Sequence, residues 1–231
     1  LQNMGHSVIT LQEDDSSASG VFNAGEVSDL VLFVHTHGWE PQGDMSDCLR
    51  ALKSRGVPTA SFHLDLYRGL WRESMVGSHW FFKTQYFFGV DGGSQQWYRE
   101  RGVNHIWIKP GVVKRDCYLG TFREGLASDV AFVGSYDYHP EWPWRHQLLE
   151  WLSKTFGARY RKWGNPEGTV RGKDLNDLYA SVKVVVGDSL CLNNHPNYWS
   201  DRAYETLGRG GFLVMPIVPG LEFEFLDRVH L

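Results

Sequence analysis

The sequence predicts an α/β protein made of two successive series of parallel strands and helices. Three observations predict it. Strand-length apolar runs recur, such as LVLF, VAFV and VKVVV; amphipathic stretches of helical period separate them; and glycine or proline punctuates the junctions.

The elements follow in order. Residues 1–4, then Gly5 and His6, read as the end of a helix entering a strand over 7–11, as though a first strand and its loop were absent from this chain. A strand is expected over 30–35, an amphipathic helix over 45–55 closed by Gly56, and a strand over 58–64. A longer strand over 80–90 breaks at Asp91, Gly92 and Gly93, a helix over 95–101 stops at Gly102, and a strand over 105–108 precedes Pro110. Residues 1–112 thus form one domain. Weak periodicity and mixed charge over 113–128 read as a linker to a second domain over 129–231.

The second series opens with a strand over 129–133 that ends in Gly134 and Ser135. An aromatic loop with Trp142 leads to a helix over 144–156, and a strand over 160–163 ends at Gly164. Asp174 reads as the cap of a helix through Ala180, and a buried strand over 183–186 leads to Gly187, Asp188 and Ser189.

Composition sets the background. A chain of 231 residues with 42% hydrophobic and 14% aromatic content has ample material for a core. The formal charge of -4 is shared by both halves, so neither carries the basic footprint of a nucleic-acid binder. Cys48, Cys117 and Cys191 are scattered without a CxxC pair, which points to reduced thiols in a cytoplasmic protein and to no structural zinc. The longest apolar runs are strand-length, so no membrane span is expected.

The most informative stretch is 193–216, NNHPNYWSDRAYETLGRGGFLVMP. Ser200 is a good N-cap for a helix through Asp201, Arg202 and Glu205, and free amides at a helix start bind phosphate. Arg202 would add positive charge, while Glu205 presents a carboxylate to the paired hydroxyls of a ribose. Gly208, Gly210 and Gly211 end the helix before a strand over 212–215. The competing local reading is that Ser200 only caps and Glu205 is solvated. Trp142, Trp144 and Trp163 have core and sugar-stacking readings, core being the commoner fate. Trp199, inside a polar loop, is the one assigned to stacking. Arg159, Arg161, Lys162, Arg171 and Lys173 form a positive cluster, which reads first as a solvated face.

In the order DVAFVGSYD, RYRKWG, RGKDLNDLYASVKVVVGDS and NYWSDRAYETLGRGGFLVMP, residues 129–220 resemble the C-terminal domain of GT-B glycosyltransferases, particularly the CgeB-like, glycosyltransferase-family-one-like group. GHSVITLQ and YRERGVNHIWIKPGV fall where the N-terminal acceptor domain of that group has similar strings. The resemblance implies two Rossmann-like domains facing each other across a cleft, with the first strand and the C-terminal end absent from this chain. It implies that Glu205 holds the donor ribose and that Ser200, Asp201 and Arg202 lie by the diphosphate. Trp163, Gly164 and residues 170–172, including Arg171, would surround the nucleobase. Gly134 and Ser135 would form a close-approach turn facing the phosphates, with Arg145 as a further diphosphate charge. Many relatives carry a glutamate where this chain has Asn197, so Asn197, Asn193, Asn194 and His195 become the donor-sugar contacts.

Transfer of the sugar needs the leaving diphosphate neutralised, which arginines, lysines and a helix start do in this fold without metal. Inversion also needs a base. His35 and His37, His63 and Asp65, and Asp91 stand at strand ends, and Asp65 with His37 is the selected pair. The expectation is a glycosyltransferase with a nucleotide-diphosphate-sugar co-substrate and no cofactor. Its hydroxyl acceptor is a glycan, a small molecule, a protein or a modified nucleic-acid base, and nucleic acid enters only in that role. The alternatives are a nucleotide-sugar epimerase or hydrolase on the same fold and a non-catalytic nucleotide-sugar or glycan-binding module.

Overall fold

The computed structural model describes residues 1–12, 14–34, 40–137, 142–165, 168–189 and 196–225. The chain divides into two units, Leu1–Ile108 and Lys109–Leu231, each holding one four-stranded parallel sheet. This is an α/β architecture compatible with two Rossmann-like domains.

The first unit contains α1 (Ala18–Glu26), β1 (Val31–Val34), α2 (Met45–Ser54), β2 (Thr59–His63), β3 (Tyr86–Gly89), α3 (Gln95–Arg99) and β4 (His105–Trp107). Its strands lie in chain order, β1-β2-β3-β4. Right-handed crossovers repeated in one direction lay the connections on one face of the sheet. The core follows that rule, since Val31, Phe33 and Phe87 pack with Val21 of α1, Leu49 and Leu52 of α2, and Tyr98 of α3. Local caps start the first two helices: Ser17 Oγ accepts from the Gly20 amide at 3.2 Å and Asp44 Oδ1 from the Asp47 amide at 3.0 Å.

The second unit contains β5 (Ser128–Val133), α4 (Trp144–Phe156), β6 (Tyr160–Trp163), α5 (Gly172–Ser181), β7 (Val182–Val186), α6 (Arg202–Gly208) and β8 (Leu213–Val214). Its order is β6-β5-β7-β8, so the chain direction across the sheet reverses at β5. Both faces are therefore covered. Val130 and Phe132 of β5 pack on Leu149 and Leu152 of α4, while Ala131 and Val133 pack on Leu175, Leu178 and Tyr179 of α5.

Several expected elements change. Residues 7–12 form no strand, and α1 stands where no helix was expected. Gly20 and Gly25 blur the helical pattern of α1, yet Gly25 lets the helix pack close, since a Cβ there would come 2.5 Å from a terminal methyl of Leu52 and make that side chain shift. The strand expected over 80–90 shrinks to four residues. Trp80–Lys83 is a 3-10 turn capped by His79, whose Nδ1 accepts from the Phe81 amide at 3.3 Å, and only Tyr86–Gly89 joins the sheet. Asp174 lies in the first turn of α5, which starts two residues earlier with Arg171 at the cap position.

Residues 113–128, expected as a linker, are bound along α5. Asn176 Nδ2 donates to the Asp116 and Tyr118 carbonyls at 2.9 and 2.7 Å, Asp177 Oδ1 accepts from the Thr121 amide at 2.9 Å, and Ser181 Oγ accepts from the Arg123 amide at 2.8 Å. Gly120 approaches α5 so closely that a Cβ would come within 2.1 Å of the Asn176 carbonyl. The segment lacks hydrophobic period because polar side chains of α5 hold it. No helix among the described residues is long and apolar enough to cross a membrane.

Candidate functional site

In an open parallel sheet ligands collect at the carboxyl ends of the strands where the strand order reverses. In the second unit that point lies between β5 and β7. β5 runs out into Gly134 and Ser135, and β7 into Gly187, Asp188 and Ser189. Gly134 donates its amide to the Trp163 carbonyl at 2.8 Å, and Gly164, with φ 123°, sits against it. A Cβ on Gly164 would come within 2.3 Å of the Gly134 carbonyl oxygen, so glycine is obligatory there. The Gly134 amide is thus spent inside the protein. Ser135 Oγ donates to the Asp137 carbonyl at 2.7 Å.

Asp188 is the hub of this end of the sheet. Arg145 Nε donates to its Oδ2 at 3.0 Å, Trp142 Nε1 lies 3.1 Å from both carboxylate oxygens, and the Ser189 amide donates to Oδ1 at 2.9 Å. The Arg145 and Asp188 side chains are 9% and 4% exposed, and the Arg145 guanidinium also reaches the Ser135 carbonyl at 3.5 Å. Arg145 was expected as a charge for diphosphate. The structure gives it a buried counter-ion instead, because an isolated guanidinium at this depth would be costly.

The α6 region differs from its expected form by one residue. The helix starts at Arg202 with Asp201 at the cap position, and Ser200 Oγ accepts from the Arg202 amide at 3.2 Å. Arg202 and Glu205, expected to bind diphosphate and ribose separately, form an ion pair with each other, and Arg202 Nη1 also lies 3.5 Å from the Tyr179 hydroxyl. Both side chains keep about a quarter or less of their surface in water, at 20% and 25% exposure. The pair is accessible.

Trp163 packs on the cluster of Ala131, Leu178 and Tyr179 together with Val170, and the Arg161 guanidinium covers its ring at 4.4 Å. Arg171 is exposed at the start of α5. Asn197 takes the left-handed conformation with φ 64°, and its amide donates to the Pro219 carbonyl at 2.7 Å. It shapes a turn against Gly220, where a Cβ would come within 2.0 Å of Asn197 Oδ1. Trp199, assigned to sugar stacking, is instead a core residue at 3% exposure. Asn193, Asn194 and His195 lie outside the described residues, as do His35 and His37.

In the first unit, β2 ends at buried His63, whose Nε2 lies 3.9 Å from Oδ2 of half-exposed Asp65. The turn beyond them is anchored from within. Both oxygens of Asp91 lie 3.2 Å from the Tyr67 amide, the Tyr98 hydroxyl donates to Oδ2, and Arg72 Nε donates to the Leu66 carbonyl at 2.7 Å. Burial pushes the Asp91 carboxyl up to about 7, against the opposing pull of the Tyr98 hydroxyl, the Tyr67 and Arg68 amides and the Arg72 charge. Burial also takes His105, stacked on Tyr98 with centroids 4.2 Å apart, down to about 4. Asp91 therefore serves as an internal anchor, whereas Asp65 is open to solvent.

The role of Asp188 as a hub was not foreseen, although its place was readable as the acid of the Gly187, Asp188, Ser189 break after a buried strand; its partner Arg145 is the second residue of α4, two strands earlier in the chain. Among the described residues no group of three or more His, Cys, Asp or Glu is arranged to hold a metal ion. No protein-family model and no curated protein sequence matches this chain.

Proposed function

We propose that the chain is a glycosyltransferase of the GT-B kind, which moves a sugar from a nucleotide-diphosphate donor on the second unit to a hydroxyl acceptor. The observation that carries this reading is the reversal of strand order between β5 and β7, with Gly134, Ser135, Asp188 and the Arg145 pair gathered at the strand ends beside it. Donor binding exchanges partners at α6: the ribose hydroxyls take Glu205, and Arg202, released from it, meets the diphosphate. Arg171 contributes a further exposed cation, and Trp163 with Gly164 lines the base. On the first unit Asp65, backed by His63, is the proposed base for the acceptor hydroxyl.

The test is a thermal-shift screen with UDP, GDP, ADP, CMP and dTDP sugars, followed by donor-consumption assays on wild type and Glu205→Ala. One nucleotide should raise the melting temperature, and Glu205→Ala should weaken its binding about tenfold or more, the cost of a lost charge-assisted bond. No stabilisation by any nucleotide would overturn the proposal. A non-catalytic nucleotide-sugar module is the second reading, favoured by the pairing of both Arg145 and Arg202 with carboxylates. It predicts binding without donor consumption at any acceptor.

A further inference from the structure

A groove of ≈ 930 Å³ lies at the amino ends of the strands in the first sheet, at the opposite end of β2 from Asp65. Ser46, Arg50 and Lys53 of α2 line it together with Thr59, which opens β2, and residues 83–85, which precede β3. The charged residues of its described lining are Arg50, Lys53 and Lys83, three exposed cations in a chain of net charge -4.

Local duties account for part of this cluster. Lys53, in the last turn of α2, complements the helix dipole, and Arg50 pairs with Asp47 while the two side chains stay 77% and 60% exposed. A surface pair of that kind adds little to stability and gives way to a stronger anion. Lys83 is different. It comes from the 3-10 turn Trp80–Lys83 and crosses to α2, where its Nζ donates to Ser46 Oγ at 3.3 Å. Ser46, Arg50 and Lys53 follow one another at i, i+4 and i+7 along one face of α2, over a rise of about 10 Å. Hydroxyl donors stand beside the cations. Buried Thr59 uses Oγ1 to accept from the Gln85 amide at 3.1 Å, and Ser46 Oγ accepts from Lys83, so each hydroxyl keeps its hydrogen to donate.

We propose that this groove binds a small polyanion, a chain of phosphoryl groups. Cations and hydroxyl donors select a ligand rich in acceptors, which phosphoryl oxygens supply. Cations spread over about 10 Å of helix call for more than one anionic group. The volume falls in the range of small-molecule sites, about 300–1,000 Å³, which favours a compact polyanion over a long acidic chain. The site lies on the first unit and does not rest on the donor reading of the second.

The experiment is isothermal titration calorimetry of the full chain with inorganic triphosphate, ATP, orthophosphate and hexaglutamate at two salt concentrations. Triphosphate should bind at least about tenfold more tightly than orthophosphate, and its affinity should fall as salt rises. Lys53→Gln and Lys83→Gln should each weaken it about tenfold with the ligand-free melting temperature unchanged, while Lys83→Arg, which keeps the charge, should retain it. ATP matching triphosphate assigns the free phosphoryl chain as occupant, and tighter binding of ATP assigns a nucleotide that carries the chain; either result upholds the site. Absence of triphosphate binding, equal affinity for orthophosphate or hexaglutamate, or indifference to both lysine variants would overturn the proposal. Arg202→Gln separates the two units. Loss of triphosphate binding in that variant, with Lys53→Gln unaffected, would put the anion at α6 and overturn the groove assignment while the donor proposal stood.

Discussion

Asp91 and His105 make opposite demands on pH, and their opposition can be measured. Asp91 holds its proton up to about 7 in the native protein against an ordinary 3.8, so between those values the native state carries a proton that the unfolded chain has released. Its contribution to stability is complete below 3.8 and is lost as pH rises through about 7. His105 works the other way. Its native value of about 4 lies below the ordinary 6.5, so between them the unfolded chain carries the extra proton and stability grows as pH rises. Each pH unit inside a window is worth about 1.4 kcal/mol, which sets upper bounds of about 4 kcal/mol lost through Asp91 and about 3 kcal/mol gained through His105. From pH 4 to 6.5 the two slopes nearly cancel. Urea unfolding of the first unit, followed by tryptophan fluorescence from pH 4 to 8, should show this in variants. Asp91→Asn leaves the rising slope of His105, while His105→Phe, which keeps a ring on Tyr98, leaves the falling slope of Asp91. If both variants keep the wild-type slope, the two groups do not titrate as their burial demands and the reasoning fails.

Other expectations concern the second unit. Arg145→Met should destabilise it by about 3–5 kcal/mol by leaving the Asp188 charge buried and unpaired, and Arg145→Met with Asp188→Leu should recover most of that loss in chemical unfolding. Gly164→Ala combines a clash 2.3 Å from the Gly134 carbonyl with φ 123°, and a loss of about 2–5 kcal/mol should appear as a lowered melting temperature. Asn176→Ala removes both side-chain bonds to the Asp116 and Tyr118 carbonyls and the acceptor for buried Arg209, so limited proteolysis should cut faster within residues 113–128 while cleavage in the first unit is unchanged.

The sheets were legible because their strands are buried and β-branched, as in VKVVV, and because glycines close them. Helices with a clear apolar stripe, such as α2 and α4, were equally visible. What hid was everything decided by partners distant in sequence. Ser7–Leu11 has strand composition but makes no ladder, and Trp80–Phe82 reads as strand while its carbonyls serve the turn and Ser61, whose hydroxyl donates to the Phe81 carbonyl at 2.8 Å. At the candidate site the residue types were readable and their pairings were not. Arg145 with Asp188 is separated by 43 positions, and only the folded sheet reveals that the charge expected for a ligand already has a neighbour. Trp199 illustrates the same limit, since a polar sequence context surrounds a residue that the fold buries.

The strap along α5 bears on modularity. A boundary drawn from composition falls near Ser128, but the hydrogen bonds of Asn176, Asp177 and Ser181 assign the preceding stretch to the second unit, which begins at Lys109. A recombination or transplantation joint at Ser128 would strip α5 of its covering and leave Asp177 and Asn176, which are 2% and 0% exposed, facing water. A joint ahead of Lys109 would keep α5 together with the stretch that covers it.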